Sequence, residues 1–426
     1  MGTRSAMPGP ENILVHHLPN DLRIYMYPNR TVPAVVINGS LRAGSVLEPA
    51  ELNGLAALTA SLLRRGTTRH TFEELNEHIE SLGAAIEFSG GRHALDIVAN
   101  SLSEDLPTIL AYIAEMLREP AFPAEEFQIL KQQTITHLQE RAQDPHTMAF
   151  ITFRGLLYGD HPYGRPVSGW PETVARITLD HVREFYAQNI APGKGQIVIV
   201  GDFDPDHVVS QLHELLADWE GTPPEATLPP VSKPEEIREE FVHIPDKSQS
   251  DVVLGWLGIP RKHPDWTPLV VANVLWGRFG MGGRIGARIR EKLGLAYYAF
   301  GNVDGNFGPG TWNVNAGVAP ENVPIVIESV LEEARRLQEE PVPPEELEDT
   351  KTFIIGSLPV RLETNHGLAS AISDMVWYDL GLDYLIKLEE RVRAVKPEDI
   401  QRIARTYLDP DAYVLAVAGP PAMEGE

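Results

Sequence analysis

The second half of this 426-residue chain repeats the pattern of the first half at a constant spacing. In both copies an amphipathic helix leads into a proline-containing turn and then into a short apolar strand that ends in glycine. The matching positions are Val182 and Ile400, Pro192 and Pro410, and Gly201 and Gly419, each pair 218 residues apart (400 − 182). Two copies predict a duplicated domain and not a solenoid, which needs at least three repeats.

The two halves also begin alike, each with a short apolar strand followed by a helix. Val35-Val36-Ile37 precedes a helix predicted over 52–65, and Val252-Val253-Leu254 precedes a helix that begins at Trp266. Further long helices are predicted at 72–82, 104–118, 124–142 and 320–338. Because helices and strands do not alternate strictly, the pattern favours an α+β fold with a mainly antiparallel sheet flanked by helices in each domain.

The segment 221–236, GTPPEATLPPVSKPEE, is rich in proline and has no long apolar pattern. Such a composition is typical of a semi-rigid linker between domains. It predicts an N-terminal domain over 1–220 and a C-terminal domain over 237–426.

Charge and composition exclude several classes of function. The net charge of −24 disfavours binding to the phosphates of nucleic acids and to anionic membranes. The absence of cysteine excludes disulfides, thiolate zinc sites and a cysteine nucleophile. No secretory signal and no apolar run of about 20 residues are visible, so a cytoplasmic location is expected.

The helix predicted from about Leu52 to Arg65 matches a known zinc-binding motif in its flanking residues but lacks the residues that would bind zinc. In H-x-x-E-H, two histidines four residues apart hold zinc from one helix face, and the glutamate activates water. The corresponding positions here are Ala57, Ala60 and Ser61. None of these side chains can ligate zinc or transfer a proton in that role.

The flanking residues make the comparison specific. Gly54-Leu55-Ala56, Leu62-Leu63 and Gly66-Thr67 follow the pattern G-hydrophobic-A-H-F-x-E-H-x-L-x-x-G-T of the M16 (pitrilysin or mitochondrial processing peptidase) zinc peptidases. The run from Leu18 to Ala56 and the segment YGDHPYGRPVSG also resemble that family. The resemblance covers nearly the whole chain. It implies that a third zinc ligand, a glutamate, would lie near 136–138, where the chain has Thr136-His137-Leu138. No metal is therefore expected in this chain.

A second family pattern, R-E-x-x-G-L-A-Y, matches the residues from Arg290 to Tyr297. The resemblance implies that Tyr297 stabilises the oxyanion formed in peptide hydrolysis and that Arg290 positions the substrate backbone. The alternative is that Arg290 pairs with a nearby acid and Tyr297 packs in a strand. The neighbouring glycines Gly280, Gly282 and Gly283 match, more weakly, a loop that handles substrate in non-catalytic subunits; the alternative is a flexible turn between helices.

Two other clusters have simpler explanations. His70, Glu74 and His78 lie on one helical stripe that could hold a metal, but the segment reads as an ordinary amphipathic helix with acids near its start. The acidic run from Asp202 to His207 lacks the spacing of a calcium loop and is better explained as a helix cap.

These patterns predict a non-catalytic subunit of a heterodimeric M16-type zinc peptidase acting on peptides or unfolded segments. A homologous partner with H-x-x-E-H would supply the zinc, and this chain would supply Arg290 and Tyr297. The alternative is an inert scaffold resembling the M16-related core subunits of respiratory complexes. A hydrolase with a relocated metal site at His70, Glu74 and His78 is the third hypothesis. A homodimer is an alternative assembly when the partner is absent.

Overall fold

The computed structural model describes residues 7–420 and contains two sheets. The first sheet is formed by β1 (Leu14–His17), β2 (Arg23–Pro28), β3 (Ala34–Leu41), β4 (Ala85–Gly90), β5 (Leu95–Leu102) and β6 (Gln196–Gly201). The second is formed by β7 (Arg238–His243), β8 (Ser250–Leu257), β9 (Ala296–Val303), β10 (Thr311–Val318) and β11 (Val414–Gly419).

Fifteen α-helices are present between residues 7 and 420. They are α1 (Leu55–Leu62), α2 (Phe72–Ser81), α3 (Leu106–Arg118), α4 (Ala124–Arg141), α5 (Pro145–Tyr158), α6 (Pro171–Arg176), α7 (Leu179–Asn189), α8 (Pro205–Leu216), α9 (Trp266–Asn273), α10 (Gly283–Gly286), α11 (Val323–Glu339), α12 (Pro344–Arg361), α13 (Asn365–Trp377), α14 (Leu388–Ala394) and α15 (Pro397–Tyr407). Two π-helical segments, Val274–Arg278 and Ala287–Lys292, follow α9 and α10. None of the helices in this part of the chain is long and apolar enough to cross a membrane.

The two sheets have the same topology, which confirms the predicted α+β duplication. The strand orders are β1-β2-β6-β3-β5-β4 and β7-β11-β8-β10-β9. In each sheet one pair is parallel, β2 with β6 and β7 with β11, and the other pairs are antiparallel. Removing β1 makes the two orders equivalent strand by strand.

The repeat seen in the sequence corresponds to the unit α7–β6 in one copy and α15–β11 in the other. Both strands end in a glycine with positive φ, 145° at Gly201 and 151° at Gly419. A Cβ atom at Gly201 would lie 2.2 Å from the carbonyl oxygen of Ala34, and one at Gly419 would lie 2.7 Å from the Cα of Ser250. The repeated glycine is therefore required by the close approach of the neighbouring strand.

Contacts divide the chain into two compact units that are not continuous in sequence. Of the described residues, the first unit contains 7–139, 166–228 and 361–386, and the second contains 140–165, 229–360 and 387–420. Within the first unit α13 packs on β3 and β6, and within the second α5 packs on β7, β8 and β11. Each unit therefore takes one helix from the other half of the sequence. The predicted division at 221–236 stays a prediction; that segment contains neither helix nor strand.

Each unit has its own apolar core. In the first, the inner face of the sheet packs on α1, α3 and α7 through side chains such as Ile37, Leu62 and Ile109. In the second, Trp312, Val314 and Ala316 of β10 pack on α9, α11 and α15. The predicted long helices are present with small shifts at their ends; 320–338, for example, becomes α11 at Val323–Glu339. The amphipathic pattern located these helices because burial of one apolar face stabilises each of them.

Candidate active site

The helix that corresponds to the family's metal-binding helix is α1, and its three key positions carry small side chains. Ala60 is fully buried, Ala57 is half-buried, and the Ser61 hydroxyl donates to the backbone oxygen of Ala57 at 3.0 Å. A Cβ atom at Gly90 of β4 would lie 2.6 Å from the Cα of Ala57, so the helix and this strand are in close contact. These residues do not fit a zinc ion, because none of them offers an imidazole or a carboxylate.

The other histidines considered from the sequence do not replace the missing ligands. His137 is exposed on α4. His70 lies 2.8 Å from the Glu115 carboxylate, and the His78 ring lies 2.9 Å from the Tyr112 hydroxyl. The Glu74 side chain caps α2 by accepting from the backbone of Thr71. No group of three or more His, Asp or Glu side chains between residues 7 and 420 is placed to hold a metal ion. This finding disfavours the relocated site at His70, Glu74 and His78.

The acidic run from Asp202 to His207 caps a helix, as predicted. The side chain of Asp204 accepts hydrogen bonds from the backbone N–H groups of Asp206 and His207, at 3.0 and 3.2 Å. These bonds satisfy donors in the first turn of α8 that have no partner within the helix.

Arg290 lies on the π-helical segment Ala287–Lys292, and its side chain has no ionic partner in the described part of the chain. Two neighbouring arginines hold this region against α11 and α12. Arg284 forms a bidentate pair with Glu346, at 2.7 and 2.6 Å, and Arg288 bonds to Glu333 at 3.1 Å. Within residues 7–420, no hydrogen bond or ion pair engages the half-exposed side chain of Arg290. Pairing with a nearby acid, the alternative considered from the sequence, is therefore not observed among these residues.

Tyr297 lies on β9, seven residues after Arg290, and its side chain has no hydrogen-bond partner between residues 7 and 420. The register between β9 and β10 shifts at this point, because Gly317 pairs with Tyr298 whereas Val318 pairs with Ala296. Tyr297 is thus the extra residue of a β-bulge, a feature that redirects side chains at strand edges. It is 88% exposed, which is not consistent with a packed strand residue. Arg290 and Tyr297 lie on consecutive elements joined by Leu293, Gly294 and Leu295, without a direct contact between their side chains in the described part of the chain.

The three glycines that precede α10 or begin it all have positive φ, namely 58° at Gly280, 128° at Gly282 and 59° at Gly283. A Cβ atom at Gly282 would lie 2.4 Å from the Ala299 oxygen, and one at Gly283 would lie 2.5 Å from the Leu275 oxygen. Gly280 has open space around the corresponding point. Packing therefore explains two of the glycines, and substrate binding by all three stays a prediction.

These differences predict unequal effects of alanine substitution on stability. Gly282→Ala and Gly283→Ala are expected to lower the free energy of unfolding by roughly 2–4 kcal/mol each, since the positive φ and the backbone overlap both oppose a Cβ atom. Gly280→Ala serves as the matched control and should cost only about 1 kcal/mol, because it meets the φ penalty alone. Urea denaturation followed by circular dichroism measures the three values. Equal losses at the three positions would contradict the packing explanation.

A polar cluster in the second unit was not anticipated from the sequence. The Tyr298 hydroxyl donates to Asp251, whose side chain is only 5% exposed. The Nδ1 atom of His146 lies 3.0 Å from that hydroxyl and 3.6 Å from the Asp251 carboxylate. Asp251 raises the pKa of His146 above the ordinary value of 6.5, and burial, aided by Asp251, raises the pKa of Tyr298. The separations of 152 and 47 residues leave no local signal for this cluster.

The raised pKa predicts a pH-dependent contribution to stability. A histidine whose pKa is higher in the folded state stabilises the fold fully below the unfolded value, near 6.5, and this contribution is lost as the pH rises through the folded value. Asp251→Asn should therefore cost more stability near pH 6 than near pH 9. Paired urea titrations at the two pH values measure the difference, and exposed Asp180→Asn is the control. A cost that does not change with pH would rule out the coupling between His146 and Asp251.

The fold and the site together define a duplicated α+β protein. A helix of its first unit has the spacing of a zinc-binding helix but none of the ligands, and its second sheet contains an exposed tyrosine. Comparison with known families agrees with this description. Residues 27–169 match the family model "Insulinase (Peptidase family M16)", and residues 176–353 match the model "Peptidase M16 inactive domain". The chain belongs to the M16 peptidase family, and its residues 176–353 match the inactive domain of that family.

Individual relatives carry names of both kinds. An uncharacterized zinc protease of Streptomyces coelicolor is 25% identical over 95% of this chain and 88% of its own length. A non-peptidase homolog, YmxG, of Helicobacter pylori is 24% identical over 91% of this chain and 90% of its own length. The family thus includes relatives named as proteases and relatives named as lacking that activity.

Solved structures establish the fold over nearly the whole chain. An M16 inactive domain from Pseudomonas fluorescens superposes with a TM-score of 0.90, at 24% identity, and covers 97% of this chain and 100% of its own. A chain of Complex III2 from Candida albicans superposes with a TM-score of 0.82, at 17% identity, and covers 96% of each chain. At these identities the likeness concerns the architecture only.

Proposed function

We propose that this chain is the non-catalytic subunit of a heterodimeric M16-type zinc metallopeptidase. A homologous partner with H-x-x-E-H would hold the zinc, and this chain would contribute Arg290 and Tyr297 to the shared site. The observation that carries the proposal is that neither side chain has a partner among the described residues, 7–420, whereas Ala57, Ala60 and Ser61 occupy the positions of the metal ligands. No zinc or other cofactor is expected in this chain alone.

The chemistry requires donors of this kind. Hydrolysis of a peptide places negative charge on the oxygen of the scissile carbonyl, and a preorganised O–H or N–H donor stabilises that charge. The Tyr297 hydroxyl would donate to this oxygen. The Arg290 guanidinium would donate to carbonyl oxygens of the substrate backbone through its fixed fork of N–H groups. Neither side chain has to leave another partner first, because none is bound to them within residues 7–420.

The surroundings of the pair support a peptide as the substrate. Phe279, Met281 and Leu293 are large apolar side chains that remain exposed next to the two residues in sequence. Gly280 adds a glycine with open space around it in the same segment. Exposed apolar groups are suited to contact the side chains of an unfolded segment, and a glycine allows close approach of its backbone. The expected location of the complex is cytoplasmic.

Reconstitution tests the proposal. The chain would be purified alone and together with an H-x-x-E-H homologue from the same genome, followed by measurement of zinc content and of cleavage of a quenched fluorescent peptide. We expect a stable complex, with zinc and cleavage in the complex and neither in the isolated chain. A homologue that cleaves equally well without this chain would contradict the proposal, and so would tight zinc binding by the isolated chain.

A scaffold without a role in hydrolysis is the second candidate function. The likeness to a Complex III2 chain supports it at the level of the fold, and so do exposed apolar residues such as Phe353 and Val360 on α12, which suit contact with another protein. The two candidates separate in the reconstituted complex. A scaffold forms the complex but leaves cleavage unchanged when Arg290 and Tyr297 are substituted.

A further inference from the structure

A cleft of about 460 Å³ lies in the second unit, on the side of the sheet where α5 begins. Its walls come from three places: the first residues of α5, the loop before β8, and the side chains that β8 and β9 direct to this side. The volume lies within the range of about 300–1,000 Å³ that is typical of small-molecule sites. Neither Arg290 nor Tyr297 lines it.

One part of the cleft is apolar and aromatic. Tyr298 and Phe300 are two residues apart on β9 and lie on the same face of the sheet. Their ring centroids are 5.8 Å apart, with a 39° angle between the ring planes. Pro145 adds an apolar ring from α5. The Arg278 guanidinium lies 5.6 Å from the Phe300 ring and donates to the Gly301 oxygen. It therefore holds the Phe300 ring in place, although Arg278 itself does not line the cleft. An aromatic or large aliphatic group would find a complementary surface here.

The acids of the cleft already have partners. Asp251 accepts from the Tyr298 hydroxyl and from the Gln249 amide at 3.3 Å, and it lies beside His146. Asp144 accepts from the backbone N–H of Thr147 at 3.3 Å and from its hydroxyl, which caps α5. These hydrogen bonds occupy acceptor positions of both carboxylates, and the charged form of His146 offsets the charge of Asp251.

The basic groups at the cleft keep free N–H donors. Lys247 is exposed at the rim of the cleft, and its ammonium group has no acidic partner among residues 7–420. His146 uses Nδ1 toward Tyr298 and Asp251, while Nε2 has no partner in the same part of the chain. The Ser248 hydroxyl is a further donor on the cleft wall. The free donors therefore favour an anionic group at the rim.

We propose that this cleft binds a carboxylate joined to an aromatic or large aliphatic group, the chemistry found at the C-terminus of a peptide that ends in such a residue. The carboxylate interacts with Lys247 and His146, and the apolar group contacts Tyr298 and Phe300. This inference goes beyond the proposed function, because binding here requires neither the partner subunit nor the Arg290–Tyr297 pair.

The proposal includes a pH dependence that is set by His146. The other charged groups that face the cleft are Lys247, Asp144 and Asp251. Asp251 raises the pKa of His146 above the ordinary value of 6.5, so the imidazole keeps its positive charge beyond that pH. Binding is thus strongest near pH 6 and weakens as His146 loses its proton.

Calorimetric titration of the full isolated chain tests the site with N-acetyl-phenylalanine as the probe. N-acetyl-phenylalanine amide removes the negative charge and N-acetyl-glycine removes the ring, and each should bind at least about tenfold more weakly, the loss expected for one charged hydrogen bond or one buried ring. Lys247→Gln should produce a similar loss for the acid and no loss for the amide. Lys396→Gln, an exposed lysine outside the cleft, is the matched control.

Three further results decide the outcome. His146→Gln should remove most of the difference in affinity between pH 6 and pH 9. A tetrapeptide ending in phenylalanine that binds more tightly than 3-phenylpropionate identifies a peptide C-terminus as the ligand, and equal affinities identify a small free acid. The proposal is overturned when the amide binds as well as the acid, when Lys247→Gln binds like the unsubstituted protein, or when no probe binds. Since the proposed subunit function concerns cleavage in the complex, its failure would be seen in a different assay.

Discussion

Substitution of Tyr297 by phenylalanine is expected to reduce turnover of the reconstituted peptidase by about 10²–10³-fold, the loss observed when one oxyanion donor is removed. The substitution removes only the hydroxyl group, and Tyr297 is 88% exposed, so packing is not disturbed. Because the donor acts on charge that develops in the transition state, kcat should fall while KM changes little. Steady-state cleavage of a fluorescent peptide measures both constants.

A matched control separates the loss of this donor from a general effect of the substitution. Tyr25→Phe removes the same atom from a half-exposed tyrosine of β2 in the first sheet and should leave turnover unchanged. Arg290→Ala should also lower kcat/KM, with a larger rise in KM, because this side chain is expected to hold the substrate backbone in both the ground and transition states. Full activity of both Tyr297→Phe and Arg290→Ala would leave the scaffold as the better explanation.

Substitution of Trp312 by alanine is expected to lower the free energy of unfolding by about 3–5 kcal/mol, the cost of removing a fully buried aromatic side chain. Trp312 is 0% exposed on β10, and its ring meets that of Trp276 edge-to-face with centroids 5.6 Å apart. Its indole N–H also donates to the Asn273 side chain at 3.0 Å. Removal would leave both a cavity and an unpaired buried amide oxygen under the π-helical segment Val274–Arg278.

The same sheet supplies the control for this prediction. Tyr297→Ala deletes an aromatic side chain of comparable size, but from an exposed position, and should change stability by no more than about 0.5 kcal/mol. Urea denaturation of both variants, followed by tryptophan fluorescence and circular dichroism, provides the values. Similar losses for the two variants would contradict the assignment of Trp312 to the core of the second unit.

The features that could be predicted from the sequence are those with a local physical signal. The helix–turn–strand units ending at Gly201 and Gly419 were visible because apolar periodicity, proline and glycine each act within a few residues. The long helices from α2 to α4 were visible for the same reason. The empty metal positions at Ala57, Ala60 and Ser61 could be recognised because the ligands of such a site occupy one helix, at fixed spacing.

Features that depend on distant parts of the chain could not be predicted. Neither the packing of α5 on the second sheet nor that of α13 on the first has a local signal, because the residues of a helix do not indicate which of two sheets it will pack on. The cluster of His146, Asp251 and Tyr298 forms only after α5, β8 and β9 come together. The bulge that exposes Tyr297 depends on the register between β9 and β10. The pattern of apolar and polar side chains does not show where this register shifts by one residue.

The amino-acid sequence by itself determined that the chain is duplicated, that it belongs with the M16 proteins, and that its own metal-binding helix has no ligands. These properties are fixed by residue identity and short spacing. Only the tertiary structure decided that Tyr297 is exposed and that Arg290 and Lys247 have no acidic partner among residues 7–420. The physical reason is that the availability of a side chain depends on which other groups surround it, and those groups come from strands and helices far apart in the sequence.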